Sequence, residues 1–324
     1  MSGAAFLLHG VTLALVWFFA LNVAVTLLVA AVAAYLTTRD APRRPAFWLG
    51  LRLLPVAASV VFVAAVFVPS YLQYEPRDVF ENFNAVLAVI AAAALLLCAV
   101  AARRGFMSWR RARRRVDGWL RIARPLALGD TRLPAYEVAV AAPMMALVGL
   151  RRPRLFVTRA VLDVLTGEEL DAAVEHELEH WRARDNVKRL AMRAAPDLLA
   201  LLPAGRAIER RWASASEHAA DDGASASIDA AQRAGARCAL ASALVKVARL
   251  TPPVTPLAEP ISTLVDGGDV ASRVRRLLDD RPAPAERRPS LWAFLVAAMV
   301  AALAYSPLLS VVHEATELLV RTLS

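Results

Sequence analysis

His176-Glu177-Leu178-Glu179-His180 sits in an apolar, helix-patterned run that opens near Thr166. Residues four apart on a helix project from one face, so His176 and His180 can offer two imidazole nitrogens to a single tetrahedral zinc ion. Glu177 lies beside them as a general base. The plainer alternative is an amphipathic helix that carries two histidines by chance, and with only five histidines in the chain the surroundings have to decide. Thr166-Gly167-Glu168-Glu169 reads as a capping box, in which the Thr166 hydroxyl and the Glu169 side chain satisfy exposed backbone N–H groups. Leu170, Ala173, Val174, Leu178, Trp181, Val187, Leu190 and Ala191 continue the helical spacing to about Ala195, where Pro196 stops it. The motif is therefore expected near the middle of one long, buried helix.

A catalytic zinc needs a third protein ligand and leaves its fourth position to water. Arg211-Trp212-Ala213-Ser214-Ala215-Ser216-Glu217-His218-Ala219-Ala220-Asp221-Asp222 supplies the candidate. Glu217 and Asp221 share a helical face, so Glu217 can bind the metal while Asp221 accepts a hydrogen bond from the far nitrogen of a ligand histidine. His218 is the rival ligand, turned about a hundred degrees away on the same helix. A solvated acidic helix face is the remaining alternative, and the flanking alanines, suited to close packing, argue against it.

The string His176 to Asp185, followed by Glu217 and Asp221-Asp222, resembles the BlaR/MecR membrane metallopeptidases, metallopeptidase family 56. Gly149 to Val157 resembles that family's strand region before the motif helix, and Ser272-Arg273-Val274-Arg275-Arg276-Leu277-Leu278 its basic helix before the last membrane span. The resemblance implies an α-helical membrane protein with four transmembrane helices and an inserted cytoplasmic α+β zincin-like (gluzincin) metallopeptidase domain. It implies zinc held by His176, His180 and Glu217, with Glu177 as the base and Asp221 behind the ligands. The activity implied is zinc-dependent endopeptidase cleavage of a cytoplasmic protein in a signalling pathway, a transcriptional repressor and the chain itself being candidate substrates. Ala220 departs from the family, many members having a cysteine there. A second departure is that about a dozen residues follow the last span where the antibiotic-sensing members carry an extracellular sensor, so the penicillin-sensing role does not transfer.

Composition agrees with a membrane class. Hydrophobic residues make up 58% of the chain and mean hydropathy is positive, too apolar for an ordinary soluble protein of 324 residues. Apolar runs long enough to span a bilayer cover about residues 5–36, 47–68, 85–102 and 291–312. Arg52 and Pro55 lie near the start of the second, where the arginine is expected to snorkel to the interface and the proline to kink the helix. Arg39, Arg43 and Arg44 follow the first run, whereas residues 69–83 carry one arginine against three acids. Lysine and arginine favour the cytoplasmic side, so the metal motif is expected in the cytoplasm of a multi-pass bacterial plasma-membrane protein, with both termini outside. Residues 103–124 form a basic juxtamembrane linker holding nine arginines against one aspartate, close to the whole net charge of +9. That cluster is explained by topology and anionic headgroups, and no direct nucleic-acid partner is expected. Cys98 and Cys238 offer no disulfide framework.

The hydrophilic segment, 125–290, should carry short strands at Ala135–Val140, Met144–Gly149 and Leu155–Thr158. An exposed edge strand could hold an extended peptide, though which strand is the edge is not legible. Residues 191–203, too short and polar to span, are expected on the membrane surface. Residues 251–269 read as a loop, and 281–286 as a linker. His313-Glu314-Ala315-Thr316-Glu317, in the tail 313–324, lacks a second histidine and reads as surface. Arg182, Arg184 or a residue near the second site helix could stabilise an oxyanion, and Asp185 is expected to brace neighbouring helices. The partners expected are the lipid bilayer, a cytoplasmic protein substrate and a second copy of the chain. Two further readings stay open. One is an HtpX/CAAX-type quality-control or processing enzyme of metallopeptidase family 48, against which stands the lack of a clear hydrophobic hairpin between the motif helices. The other is a non-proteolytic, zinc-containing signalling scaffold, against which stands the presence of Glu177.

Overall fold

The computed structural model describes residues 3–37, 44–75, 85–128, 133–140, 143–149, 153–225, 230–250, 261–263, 270–279 and 291–323. Among these, three helical runs are long and apolar enough to cross a membrane: Gly3–Leu36, Pro45–Tyr74 and Ala85–Ile122. The first lies in α1 (Gly3–Thr37). The second is α2 (Pro45–Phe62), a π-helical turn at Val63–Phe67, and α3 (Val68–Tyr74). The fourth expected span falls in α11 (Leu291–Leu323), which is helical throughout, but the side chains of 291–304 lie outside the described ones.

The helix of the third expected span does not stop at residue 102. α4 (Ala85–Ile122) runs on through the basic stretch as one helix, so the expected linker is a structural element. The reason lies in its apolar minority: Ala112, Val116, Trp119 and Leu120 recur at helical spacing and pack on Val138, Ala146, Val148 and Phe156. Arg110, Arg111, Arg113 and Arg114 are left exposed on the other face. The sheet beneath comprises β1 (Ala123–Leu126), β2 (Ala135–Val138), β3 (Met145–Val148), β4 (Arg154–Thr158) and β5 (Ile261–Thr263). Its order is β1-β2-β4-β3-β5, parallel between β2 and β4 and antiparallel elsewhere. β1 and β5 escaped the sequence reading, which began the segment at Pro125 and saw a loop across 251–269. The rest of that loop, the linker 281–286 and residues 76–84 lie outside the described residues.

The opposite sheet face is covered by α5 (Arg159–Val164), α6 (Gly167–Arg182), α9 (Ala230–Leu250) and α10 (Val270–Leu278) through a core that includes Leu147, Val157, Ala173, Leu240 and Leu244. With helices on both faces, all four residues of β3 are buried. The capping box of α6 is formed: Thr166 N donates to Glu169 Oε2 at 2.8 Å and Glu169 N to Thr166 Oγ1 at 3.4 Å. Glu169 also accepts from Ser242 (2.6 Å) and Lys246 (2.7 Å) on α9.

The expected long helix is broken. α6 ends at Arg182, Arg184 adopts a left-handed conformation (φ 55°), and α7 (Asp185–Ala194) leaves in a new direction. A short 3₁₀ turn, Leu198–Ala200, leads into α8 (Pro203–Ala224). Residues 192–202 do not rest beside the spans but wedge among them. Leu199, Ile208 and Trp212 pack with Val29, Ala33 and Trp48. Gly105 of α4 lets α7 come close, since a Cβ there would meet the Ala194 Cβ at 2.7 Å, and a Cβ on Gly205 would strike Leu199 O at 2.0 Å.

Irregular backbone is tolerated among apolar helices only where its polar groups are satisfied by protein. Here the spans supply the donors: Asn22 Nδ2 to Pro196 O (3.0 Å), Arg52 Nη2 to Met192 O (3.1 Å) and Arg104 Nη2 to Ala195 O (2.8 Å). Arg52 does not snorkel. It is 1% exposed and pairs with Asp197 (2.6 Å) and, on α8, with Glu209 (3.0 Å).

Two outcomes follow. Arg52→Met leaves the buried Asp197 carboxylate without its cation and should lower stability by about 3–5 kcal/mol, part of which Asp197→Asn in the same chain restores; thermal unfolding in detergent reads both. Burial opposes ionisation of Glu169, but its Lys246, Ser242 and Thr166 hydrogen bonds outweigh this and hold its pKa down to about 2. A depressed carboxylate stabilises the fold above its ordinary value near 4.5, and that contribution is lost as pH falls toward 2. Glu169→Gln should flatten the acid limb of a stability-versus-pH curve.

Candidate metal centre

Four helices converge on one water-excluded cluster. α6 brings His176, Glu177 and His180, which are 0%, 1% and 2% exposed, and α8 brings Glu217 and Asp221, at 3% and 2%. The two imidazoles stand edge to face, with their Nε2 atoms 3.2 Å apart. Glu217 Oε2 lies 3.5 Å from His176 Nε2, and Glu217 Oε1 lies 3.4 Å from His180 Nε2. Ligands about 2.0–2.1 Å from a tetrahedral zinc are separated from one another by roughly 3.3 Å, so the two nitrogens and the Glu217 carboxylate already stand close to that spacing. Both Glu217 oxygens are buried, and neither meets hydrogen-bond geometry although Oε2 is ion-paired with Arg273, so the carboxylate keeps acceptor capacity for a metal. The donor set fits zinc.

Each histidine has its own carboxylate behind it. His176 Nδ1 is 3.0 Å from Asp221 Oδ1, and His180 Nδ1 is 2.8 Å from Asp185 Oδ2. A carboxylate on Nδ1 fixes the tautomer that leaves Nε2 as an acceptor facing the metal position. Asp185 also accepts from Ser216 of α8 and pairs with Lys188 at 2.9 Å. It braces α6 against α8, as expected, and it orients a histidine, which was not. An unbroken helix would have carried Asp185 away from the His180 face; the left-handed turn at Arg184 returns it.

Arg273 is the second residue missed. It is 2% exposed on α10, clamps Asp221 through Nε (2.9 Å) and Nη2 (2.6 Å), and reaches Glu217 Oε2 with Nη1 at 2.9 Å. The bidentate fork fixes Asp221 against His176. Nothing in the run Arg273-Val274-Arg275-Arg276 says which arginine turns inward; Arg276 instead takes Asp222 and the carbonyl of His218. His218 itself is half-buried and does not join the cluster of His176, His180 and Glu217. Arg182 points outward to Glu175 and Glu179, so the buried cation beside the site is Arg273.

The charges are strongly coupled. Burial disfavours an imidazolium, yet Glu217 and Asp185 outweigh it and push His180 up to about 10. Burial likewise opposes ionisation of Asp221, but Arg273 and His176 hold it down at about 2, and Arg273 and His180 hold Glu217 well below the carboxylate range. Glu177 runs the other way: burial raises it, and neither of its oxygens has a hydrogen-bond partner.

Zinc binding at this cluster should release protons from the histidines, so affinity falls as pH is lowered; calorimetry in two buffers of different ionisation enthalpy counts the protons. Asp185→Asn and Asp221→Asn should each weaken zinc binding about 10–100-fold in competition with a chelator, leaving the ligands in place.

No curated protein matches the chain. Residues 110–262, a little under half of the chain, match the family model described as Peptidase family M48. The matched stretch holds His176, Glu177, His180, Asp185, Glu217 and Asp221, and ends at β5, before Arg273. It supports a zinc metallopeptidase of the membrane type and implies peptide hydrolysis, and the family it names is that of the HtpX/CAAX reading rather than BlaR/MecR.

Proposed function

We propose that this chain is a membrane-anchored zinc endopeptidase, with His176, His180 and Glu217 holding the metal and Glu177 serving as general base. One observation carries the reading: the Glu177 carboxylate is 1% exposed, without a hydrogen-bond partner, beside a ligand set of zinc geometry. A buried, unpaired carboxylate costs stability, a cost that chemical work would explain, and a pKa raised by burial suits a group that takes a proton and returns it.

Zinc bound at the cluster would lower the pKa of a coordinated water and polarise the scissile carbonyl. Glu177 takes the proton of the attacking water at its carboxylate and passes it to the leaving amine. Asp221 and Asp185 keep His176 and His180 facing the site, and Arg273 keeps Asp221 in place while adding positive charge at Glu217. Among the described residues β5 is the last strand on one side of the sheet, the position at which an extended peptide could add. By loop charge the site faces the cytoplasm, with both termini outside.

Two substrate classes fit. The BlaR/MecR-like string supports a signalling enzyme whose substrate is a cytoplasmic protein such as a repressor. The match to family M48 supports a processing or quality-control enzyme, while the apolar wedge at 192–202 is a packed turn and not a hydrophobic hairpin.

The test is a mass-spectrometric survey of new protein N-termini in cells making the native chain or Glu177→Gln. Zinc content should be equal in both, and turnover in the variant should fall by at least about 10²–10⁴-fold. Termini confined to the native chain establish proteolysis; one discrete substrate marks signalling, and many damaged membrane proteins mark quality control. Identical surveys with zinc retained in both would favour a non-proteolytic scaffold.

A further inference from the structure

The structure assigns a second divalent-cation site to this chain, formed by Glu75, His313 and Glu317 at the end of the spans opposite the histidine pair. It does not depend on the peptidase reading. α7 and α8 pack on the second half of α1, around Val25 to Leu36. α3, by contrast, meets the start of α1, where Tyr71 donates to Phe6 O at 2.8 Å. Glu75 follows α3 directly, its backbone N–H bonded to Tyr71 O at 3.1 Å.

His313 and Glu317 are four apart on α11 and so share a face. Glu75 comes from another helix, with Oε2 3.9 Å from His313 Nδ1, and one ligand atom from each of the three lies within 4.8 Å of the others. Rotation of partly exposed side chains by about an ångström reaches the roughly 3.3 Å ligand spacing of a bound zinc. The three are neither on the open surface nor sealed, at 25% (His313), 11% (Glu75) and 29% (Glu317) side-chain exposure, so an ion can enter and water can complete its shell.

The geometry is set in advance by bonds that do not involve the three residues. Ser70 donates to Leu309 O (2.7 Å), Tyr305 to Ala65 O (2.7 Å) and Trp17 to Thr316 Oγ1 (3.0 Å), which fixes the register of α11 on the first two spans. The Tyr74 ring stacks on His313 at 5.6 Å. One competing cation, Arg321, is exposed and sits 3.5 Å from Glu317, a weak surface pair.

One imidazole nitrogen with two carboxylates selects a borderline divalent ion such as zinc over magnesium or calcium, which prefer all-oxygen shells. Among the described residues no second histidine joins the three, so the site lacks the paired imidazoles of the first cluster. Its effect is mechanical: the ion ties α11 to the second span. That span also carries Arg52, whose partner Glu209 lies two turns before Glu217 on α8.

The test is zinc per chain in full-length protein in detergent, dialysed against buffered micromolar zinc. The native chain should hold about two equivalents, His313→Ala about one, and Glu75→Gln/Glu317→Gln about one. His176→Ala/His180→Ala should lose the other equivalent, so the two sites are counted separately. A variant that keeps the first equivalent and elutes as a single species is folded. Equal zinc in the native chain and in both sets of variants at Glu75, His313 and Glu317 would overturn the proposal, as would extra zinc that none of these changes removes.

Discussion

Charge compensation in a volume without water is the constraint on which the structure turns. Glu177, Asp185, Glu217 and Asp221 place four carboxylates around two imidazoles, and the cations in reach are Arg273 and, at the rim, Lys188. Isolated buried charges are prohibitively costly, so each acid must be paired, bonded or protonated. Arg273 answers for Asp221 and partly for Glu217, and His180 and Lys188 answer for Asp185. A dication between the histidines and Glu217 would settle the remainder, which is why the set suits a metal, while it is chiefly burial that raises the Glu177 pKa.

That constraint draws in elements distant in the chain. α6 supplies the motif, α8 the third ligand, α7 the brace and α10 the guanidinium, so the site closes only when all four are docked. Two of them, α7 and α8, belong at their other ends to the membrane spans. The wedge at 192–202 is held by Asn22, Arg52 and Arg104, whose side chains replace the water that its carbonyls would otherwise need. The polar residues of the spans therefore join spans to site, through the buried Arg52, which pairs with Asp197 and with the partly exposed Glu209 on the helix carrying Glu217.

Much of this was legible in order of locality. The capping box of α6, the spacing of His176 and His180, the placing of Glu217 rather than His218 beside them and the three apolar runs are all short-range patterns, set by helical periodicity and by hydropathy. The basic stretch after residue 102 misled because its arginines outnumber the Ala112, Val116 and Trp119 stripe that keeps it helical against the sheet. β5 was hidden in a proline- and glycine-rich stretch, three residues long and defined by its pairing with β3.

The sequence by itself determined the chemistry available: two histidines and a glutamate on one helical turn, an acid pair on a later helix, and enough apolar length to enter a bilayer. Tertiary structure decided which groups meet. A left-handed Arg184, with no glycine or proline to announce it, puts Asp185 behind His180. Burial selects Arg273 from three arginines of one helix, and docking brings Glu75 across to His313 and Glu317. Local patterns depend on the rotation of one helix, which spacing specifies. Ion pairs between distant segments depend on which faces are desolvated together, and only the packed chain sets that.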